Sequence, residues 1–563
     1  MSNTFDVIVI GSGISGSWAA KEFCEKGYKT LILERGRNVE HLKDYPTALK
    51  RPWDMPHRNR LPYSVEGPNP AVSRCYAYHE DTEHFFVKDQ EHPYVQEKPF
   101  DWIRGYQVGG KSIMWARQVQ RWSEYDFSMP RRMGYDAKWP IGYDDLAEWY
   151  AYVEKFVGIS GNKDGLDTLP DGEFLPPWEM NMAEKEMSAG IREVFPDRYP
   201  IIGRSANLTE PQPIHIEQGR GKCQARHLCH RGCPFGGYFN TNSSTLPWAQ
   251  KTGNLTLRPD SVVESIIYDE EAGKATGVRV IDRLTKEKTE FFARVIFVNA
   301  ACLNTNLLLL NSKSERFPNG LGNDNGLLGK YIAFHNYRGK ITAKRSAPLD
   351  TYYRGRRPTQ VMMPNFKNLR RRDADFKGGY MVFFNAVREG WTKETEDGPR
   401  IGAEYKERLT SPGDWTIYMM VQAETIPKEE NHVRLSETEV DEWGMPQLVT
   451  SIGYDENDEK LLEDFFREGS AMLEAAGCTD IEPFDNGQAP GLDIHEMGGV
   501  RMGRNPRTSL LNKWNQLHAC KNVFVTDGAS MVSTGVQNPS LTFMALSARA
   551  ANYAASEMEK GRL

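Results

Sequence analysis

The sequence predicts an α/β fold, and three features carry that expectation. Residues 5–10 form an apolar run that ends at a glycine turn, and a helix-compatible stretch and a second apolar run at 30–33 follow. Residues 146–157 and 461–466 repeat apolar side chains at helical spacing. Residues 415–421 and 447–452 are apolar, β-branched and aromatic, as strands are. At 563 residues the chain can bury a large core and is expected to divide into two domains or more.

The N-terminal unit meets a set of physical demands in order. Gly11, Gly13 and Gly16 stand in a G-x-G-x-x-G pattern directly after the first run. Gly11 permits a tight turn, Gly13 lets backbone approach a pyrophosphate, and Gly16 lets helix pack on strand. The helix that follows, with Ser15 in its first turn, points free amides at phosphates. Ala20, Phe23 and Cys24 keep helical spacing, Gly27 ends the helix, and the second strand leads to Glu34 and Arg35. Glu34 is placed to accept hydrogen bonds from a ribose. The unit is a dinucleotide-binding fingerprint. It does not separate FAD from NAD, although a single copy at the front of a long chain favours FAD.

Composition bounds the rest. A net charge of -6 gives no sign of nucleic-acid or anionic-membrane binding. No apolar run reaches the roughly 18 residues needed to span a bilayer. Residues 1–6 lack the basic start of a signal peptide, so folding in the cytoplasm is expected; export bound to a signal-bearing partner is compatible with that.

Of eight cysteines, Cys24, Cys75, Cys302, Cys478 and Cys520 are scattered, as reduced buried thiols are. Cys223, Cys229 and Cys233 instead crowd into a glycine-rich loop at 221–237, with Pro234 after the last. Three readings compete. One zinc ion could take the three thiolates plus His227 or His230. A disulfide would leave one thiol over. An iron–sulfur cluster is held by thiolates, often with proline after the last one, and three ligands point to a three-iron, four-sulfur (3Fe-4S) centre.

Further motifs resemble those of the glucose–methanol–choline (GMC) flavin oxidoreductases, in that family's order. Residues 104–115, with Gly109, Gly110, Ser112, Met114 and Trp115, resemble its glycine-rich segment beside the flavin. Residues 254–263, ending near Val262, are similar to its adenine-contacting strand and turn. Residues 295–301, with Ala300, and the helix-like 304–310 resemble the return to the flavin domain, and 326–335 the entry to the substrate domain. Residues 495–503, and 525–542 with Asp527, Gly528, Asn538 and Pro539, resemble its C-terminal pair of motifs.

The resemblance implies a discontinuous, Rossmann-like FAD-binding domain from residues 1–41, 104–125, 200–330 and 491–563, carrying the thiol loop. Residues 331–490 would form a substrate domain with an antiparallel sheet over the flavin, supplied in part by the runs at 415–421 and 447–452. Residues 126–199 would be a helical segment, and 42–103 a lid or partner-docking insertion. In a pyranose-oxidising branch the position of Met114 is a histidine carrying covalent flavin; methionine implies non-covalent FAD.

The family's reaction removes a hydroxyl proton and a carbon-bound hydride. A neutral histidine suits the base, and His495 is the candidate, with Asn538 orienting the substrate oxygen. Asn538 before Pro539 fits a helix cap equally well. The thiol loop is similar to that of the catalytic subunits of bacterial FAD-dependent glucose dehydrogenases and glycoside-oxidising relatives. That implies a dehydrogenase of a pyranose or glycoside secondary hydroxyl, foremost C3 of glucosides, with glucose C1 or another sugar or sugar acid as alternatives. Electrons would leave through the cluster to a cytochrome c-type acceptor. A small companion subunit would carry the export signal to the periplasm; retention in the cytoplasm is the alternative. An oxygen-using oxidase and a non-catalytic flavoprotein subunit are the competing classes.

Overall fold

A computed structural model describes residues 3–346, 357–388, 400–410 and 413–563. Strand Thr4–Ile10 lies inside a seven-stranded mixed sheet. Thr30–Leu33 and then Leu255–Arg258 run parallel on one side of it, and Lys288–Val298 runs parallel on the other. Lys288–Val298 is long enough, at 11 residues, to serve two further partners. Its first half runs antiparallel to Lys274–Asp282, which pairs with Ser261–Asp269, and its second half runs parallel to Val523–Val525.

Alternation along the strands divides the core. Val7, Val9, Val295 and Phe297 point to the face covered by helices Ile14–Glu25 and Ser540–Glu559. Those helices approach closely because they present Ala19, Ala20, Ala550, Ala551 and Ala554. Ile8, Ile10, Ile296 and Val298 point to the opposite face. Strands buried on both sides need unbroken apolar runs, which is why residues 7–10 contain no polar side chain.

A second seven-stranded sheet is antiparallel throughout. Its order is Thr479–Asp485, Gly339–Arg345, Trp415–Glu424, Tyr380–Arg388, Val361–Met363 and Ile201–Ile202, with His335–Asn336 also paired to Trp415–Glu424. Ile341, Ala343, Val382, Phe384, Ile417, Met419 and Val421 form its core with helices Met182–Val194 and Glu456–Ala475. The intervening side chains face a cavity between the two sheets.

Residues 447–452 do not join that sheet as expected. Strand Pro446–Ser451 pairs with His432–Val440 in a separate five-stranded sheet, completed by Lys330–Ala333, Met497–Gly499 and Val95–Gln96. Leu448 and Ile452 are buried with the large core of the dinucleotide side, and burial there decided their pairing. The helix expected over residues 146–157 is preceded by a 3₁₀ turn, Tyr143–Asp145, and runs as Ala147–Val157, burying Tyr150, Val153, Phe156 and Val157. Residues 42–103 form only short 3₁₀ turns, one four-residue helix and a two-residue strand. Among the described residues no helix is long and apolar enough to cross a membrane.

Candidate active site

A cavity of about 1020 Å³ runs from the first glycine turn to the antiparallel sheet. Gly11, Gly13, Ser15, Glu34 and Arg35 line one end. Gly110, Ser112, Met114, Trp115, Ala300, Asp527, Gly528 and Pro539 line it further on, as does Val262. His495 and Asn538 border it beside Tyr337, Lys340 and Tyr418. Gly16 and Gly109 do not reach it and act through packing. A Cβ on Gly16 would lie 2.0 Å from the carbonyl oxygen of Gly11, and one on Gly109 would lie 1.8 Å from Oδ1 of Asn242.

The glycine turn leaves bare backbone at the cavity. Gly11 sits at φ +98°, where only glycine is comfortable. A Cβ on Gly13 would point into open space, and one on Gly110 would sit 3.6 Å from the Gly13 Cα, so two chain segments meet without side chains between them. Helix Ile14–Glu25 has no side-chain cap, which leaves its first-turn amides for an anion. Glu34 holds this turn: its Oε2 accepts from Ser12 N at 3.1 Å and Ser12 Oγ at 2.6 Å, and its Oε1 from Gly36 N at 3.0 Å. Burial raises its pKa. Ser12 Oγ also accepts from Gly109 N at 2.9 Å, tying the two glycine segments together. Gly16→Val is expected to purify without flavin colour, because the new side chain drives the helix off the turn; a yellow protein would contradict this.

Beyond Glu34, the Arg35 guanidinium lies 4.4 Å over the Tyr106 ring and 4.9 Å from that of Trp443. Val262 packs with Ile281, Trp443 and Met445, making an apolar slot suited to a purine. Trp443 and Met445, between strands His432–Val440 and Pro446–Ser451, were invisible in the sequence, since nothing local marks a side chain that reaches the slot from a different sheet.

The catalytic end is built by three segments. His335 Nε2 lies 2.9 Å from the Gly535 carbonyl, to which it can only donate. Its Nδ1 is then an acceptor, 2.9 Å from His495 Nδ1, which must carry the proton between them. His495 Nε2 is left unprotonated, 3.5 Å from Asn538 Nδ2. Asp493 fixes both histidines through their backbone, accepting from His335 N at 3.0 Å and His495 N at 3.1 Å; burial pushes it up to about 7. Burial, then His335 and Lys111, hold His495 well below the ordinary imidazole value, so its free lone pair persists at neutral pH.

Asn538 does not cap the last helix: Pro539 occupies that position, and the Asn538 amide turns to His495. Its Oδ1 is buried with no hydrogen-bond partner, and its Nδ2–H is the group that can donate to a substrate oxygen. His335 belongs to the motif at 326–335, but its role could not be read, because the register that sets it against His495 is tertiary. Asp527 caps the turn Gly528–Ser530 and accepts from Thr305 Oγ1 at 2.6 Å. Met114 is buried, and Trp115 Nε1 donates to Phe239 O at 2.9 Å.

Cys223, Cys229 and Cys233 are half-buried and unbridged, which removes the disulfide reading. They do not line the cavity, but the residues among them do: His227, Leu228, His230 and Arg231. Segment 42–103 packs on this loop, where Arg231 pairs with Asp81 and donates to Lys50 O at 2.9 Å.

Residues 5–335 match the N-terminal model of the GMC oxidoreductases and residues 427–547 the C-terminal one. The chain belongs to the GMC oxidoreductase family. This GMC oxidoreductase is 28% identical to 2-methyl-1,2-propanediol dehydrogenase of Mycolicibacterium austroafricanum, over 97% of the chain and 94% of the relative. It is 25% identical to the fructose dehydrogenase large subunit of Gluconobacter japonicus, over 99% and 98%. Its fold is similar to the crystal structure of pyridoxine 4-oxidase from Mesorbium loti, with TM-score 0.61 and 16% identity over 98% and 99% of the two chains. Like its family, this GMC oxidoreductase is an FAD enzyme acting on CH–OH donors, and the bare glycine backbone, uncapped helix and purine slot fit that cofactor. His335→Leu removes the acceptor for His495 Nδ1–H and is expected to lower kcat about 10- to 100-fold at unchanged flavin content. Unaltered kcat would show that the tautomer is set elsewhere.

Proposed function

We propose that this GMC oxidoreductase is a dehydrogenase of a pyranose secondary hydroxyl, foremost C3 of glucosides. The observation that carries the reading is the unprotonated Nε2 of His495 beside Asn538, under a cavity large enough for a glycoside as well as the cofactor. His495 takes the hydroxyl proton, and the Asn538 carboxamide holds the same oxygen, so the carbon-bound hydrogen is aimed along one direction. Gly110, Ser112, Met114, Trp115 and Pro539 would hold the flavin ring, and FAD supplies the hydride acceptor. Side chains of the second sheet line the far wall of the cavity.

The thiol loop is assigned to an iron–sulfur cluster, held by Cys223, Cys229 and Cys233 and taken to be 3Fe-4S. What supports it is three unbridged thiols close together in one glycine-rich loop, with Pro234 after the last. A cluster would pass electrons singly to a protein acceptor, here a cytochrome c-type one. The Gluconobacter relative is named as a large subunit, and a small companion that brings this chain to the periplasm belongs to the same proposal.

Anaerobic bleaching of the flavin by methyl glucoside, with NMR of the product, tests the reading. A 3-keto-glucoside supports it; an unbleached flavin against a panel of sugars refutes it. His495 also sets a pH expectation. Its neutral form is the base, so kcat/KM stays level through neutrality and falls as pH drops through the lowered value, below about 6.5. A limb near 7 would place control on Asp493 instead.

A further inference from the structure

The wall of the cavity formed by the antiparallel sheet holds a buried cation that no carboxylate offsets among the described residues. Ile341 and Ala343 of strand Gly339–Arg345 enter the core, so alternation turns Lys340 to the cavity. Lys340 is only 7% exposed. Its cross-strand neighbour is Met420, whose sulfur lies 3.9 Å from the ammonium, and the rings of Tyr337 and Tyr418 lie 5.5 and 5.9 Å away. Among the described residues no carboxylate pairs with it. Several other buried cations have carboxylate partners: Lys21 reaches Glu22 and Glu25, Arg121 reaches Glu154, and Arg357 on the same wall reaches Glu184.

Burial pulls Lys340 down to about 8, so it stays charged at neutral pH in a setting that disfavours an isolated charge. The geometry points to a substrate that brings its own carboxylate, a uronide or related sugar acid, received by Lys340 while its reacting carbinol lies at His495. This rests on the sugar-oxidising reading above and narrows it. The Tyr337 ring lies 6.0 Å from the His495 ring and 5.5 Å from the Lys340 ammonium, so one aromatic ring separates base from cation. A hexose ring bearing a carboxylate covers that span. A single ammonium suits a monoanionic carboxylate better than a phosphate, which is more often received by a helix N-terminus or a guanidinium fork.

The test uses flavin-loaded wild type, Lys340→Met, Lys340→Gln and Lys340→Arg, with methyl glucoside and methyl glucuronide as a matched pair and an artificial electron acceptor. Wild type is expected to favour the glucuronide. In Lys340→Met and Lys340→Gln the glucuronide-to-glucoside ratio of kcat/KM should fall about 30-fold, mainly through KM, with Lys340→Arg retaining most of the preference. A wild-type preference for the glucoside, or a ratio that neither neutral variant changes, overturns the inference. Methyl glucoside 6-phosphate outcompeting the glucuronide overturns the carboxylate assignment. Should neither sugar be oxidised, the sugar-oxidising reading fails by itself. Flavin spectral perturbation then decides the inference: saturation by glucuronide that is lost in Lys340→Met upholds it, and no perturbation overturns it.

Discussion

His495→Ala is expected to lower kcat about 10²- to 10⁴-fold, the range that a positioned general base contributes. The protein should keep its flavin, since the cofactor cradle at Gly11, Gly13 and Gly110 lies on other segments. The loss should appear equally in kcat and kcat/KM, because the base acts on the proton in flight and contributes little to binding. His495 Nε2 is the unprotonated nitrogen as a consequence of the chain Gly535 O, His335, His495. Turnover reduced less than about tenfold would move the base to another group and undo the assignment.

Cys229→Ser is the second large effect, and it separates the two halves of the proposed reaction. Reduction by a cytochrome c-type acceptor should fall to background, with iron lost from the protein. Anaerobic bleaching of the flavin by sugar should continue at close to the original rate, because His495 and Asn538 lie outside the thiol loop. Iron analysis and electron paramagnetic resonance of the oxidised wild type are the companion measurements. Wild-type protein that is prepared anaerobically with zinc and without iron would refute the electron exit. So would full activity with the protein acceptor after Cys229→Ser.

The legible parts of the site were those whose chemistry is local. The turn from Gly11 to Gly16 announces itself because a tight turn, a bare backbone and a helix start must follow one another within six residues. The thiol loop is conspicuous for the same reason: three cysteines within eleven residues is a local pattern, whatever it holds. His495 and Asn538 stood out only through their motifs, and the helix-cap alternative for Asn538 fell to a one-residue difference in where the last helix begins. The strand at residues 446–451 was recognisable as a strand, yet its sheet was not, because pairing depends on which core receives Leu448 and Ile452.

By itself the sequence determined the dinucleotide turn, the thiol spacing and the pair of C-terminal motifs, since each is a demand met by neighbours along the chain. Only the tertiary structure decided the protonation state of His495, through His335 some 160 positions away, and the exposure of Lys340 to the cavity. A proton's location and a buried charge's lack of a partner are properties of what surrounds a group in space, and no local pattern encodes them.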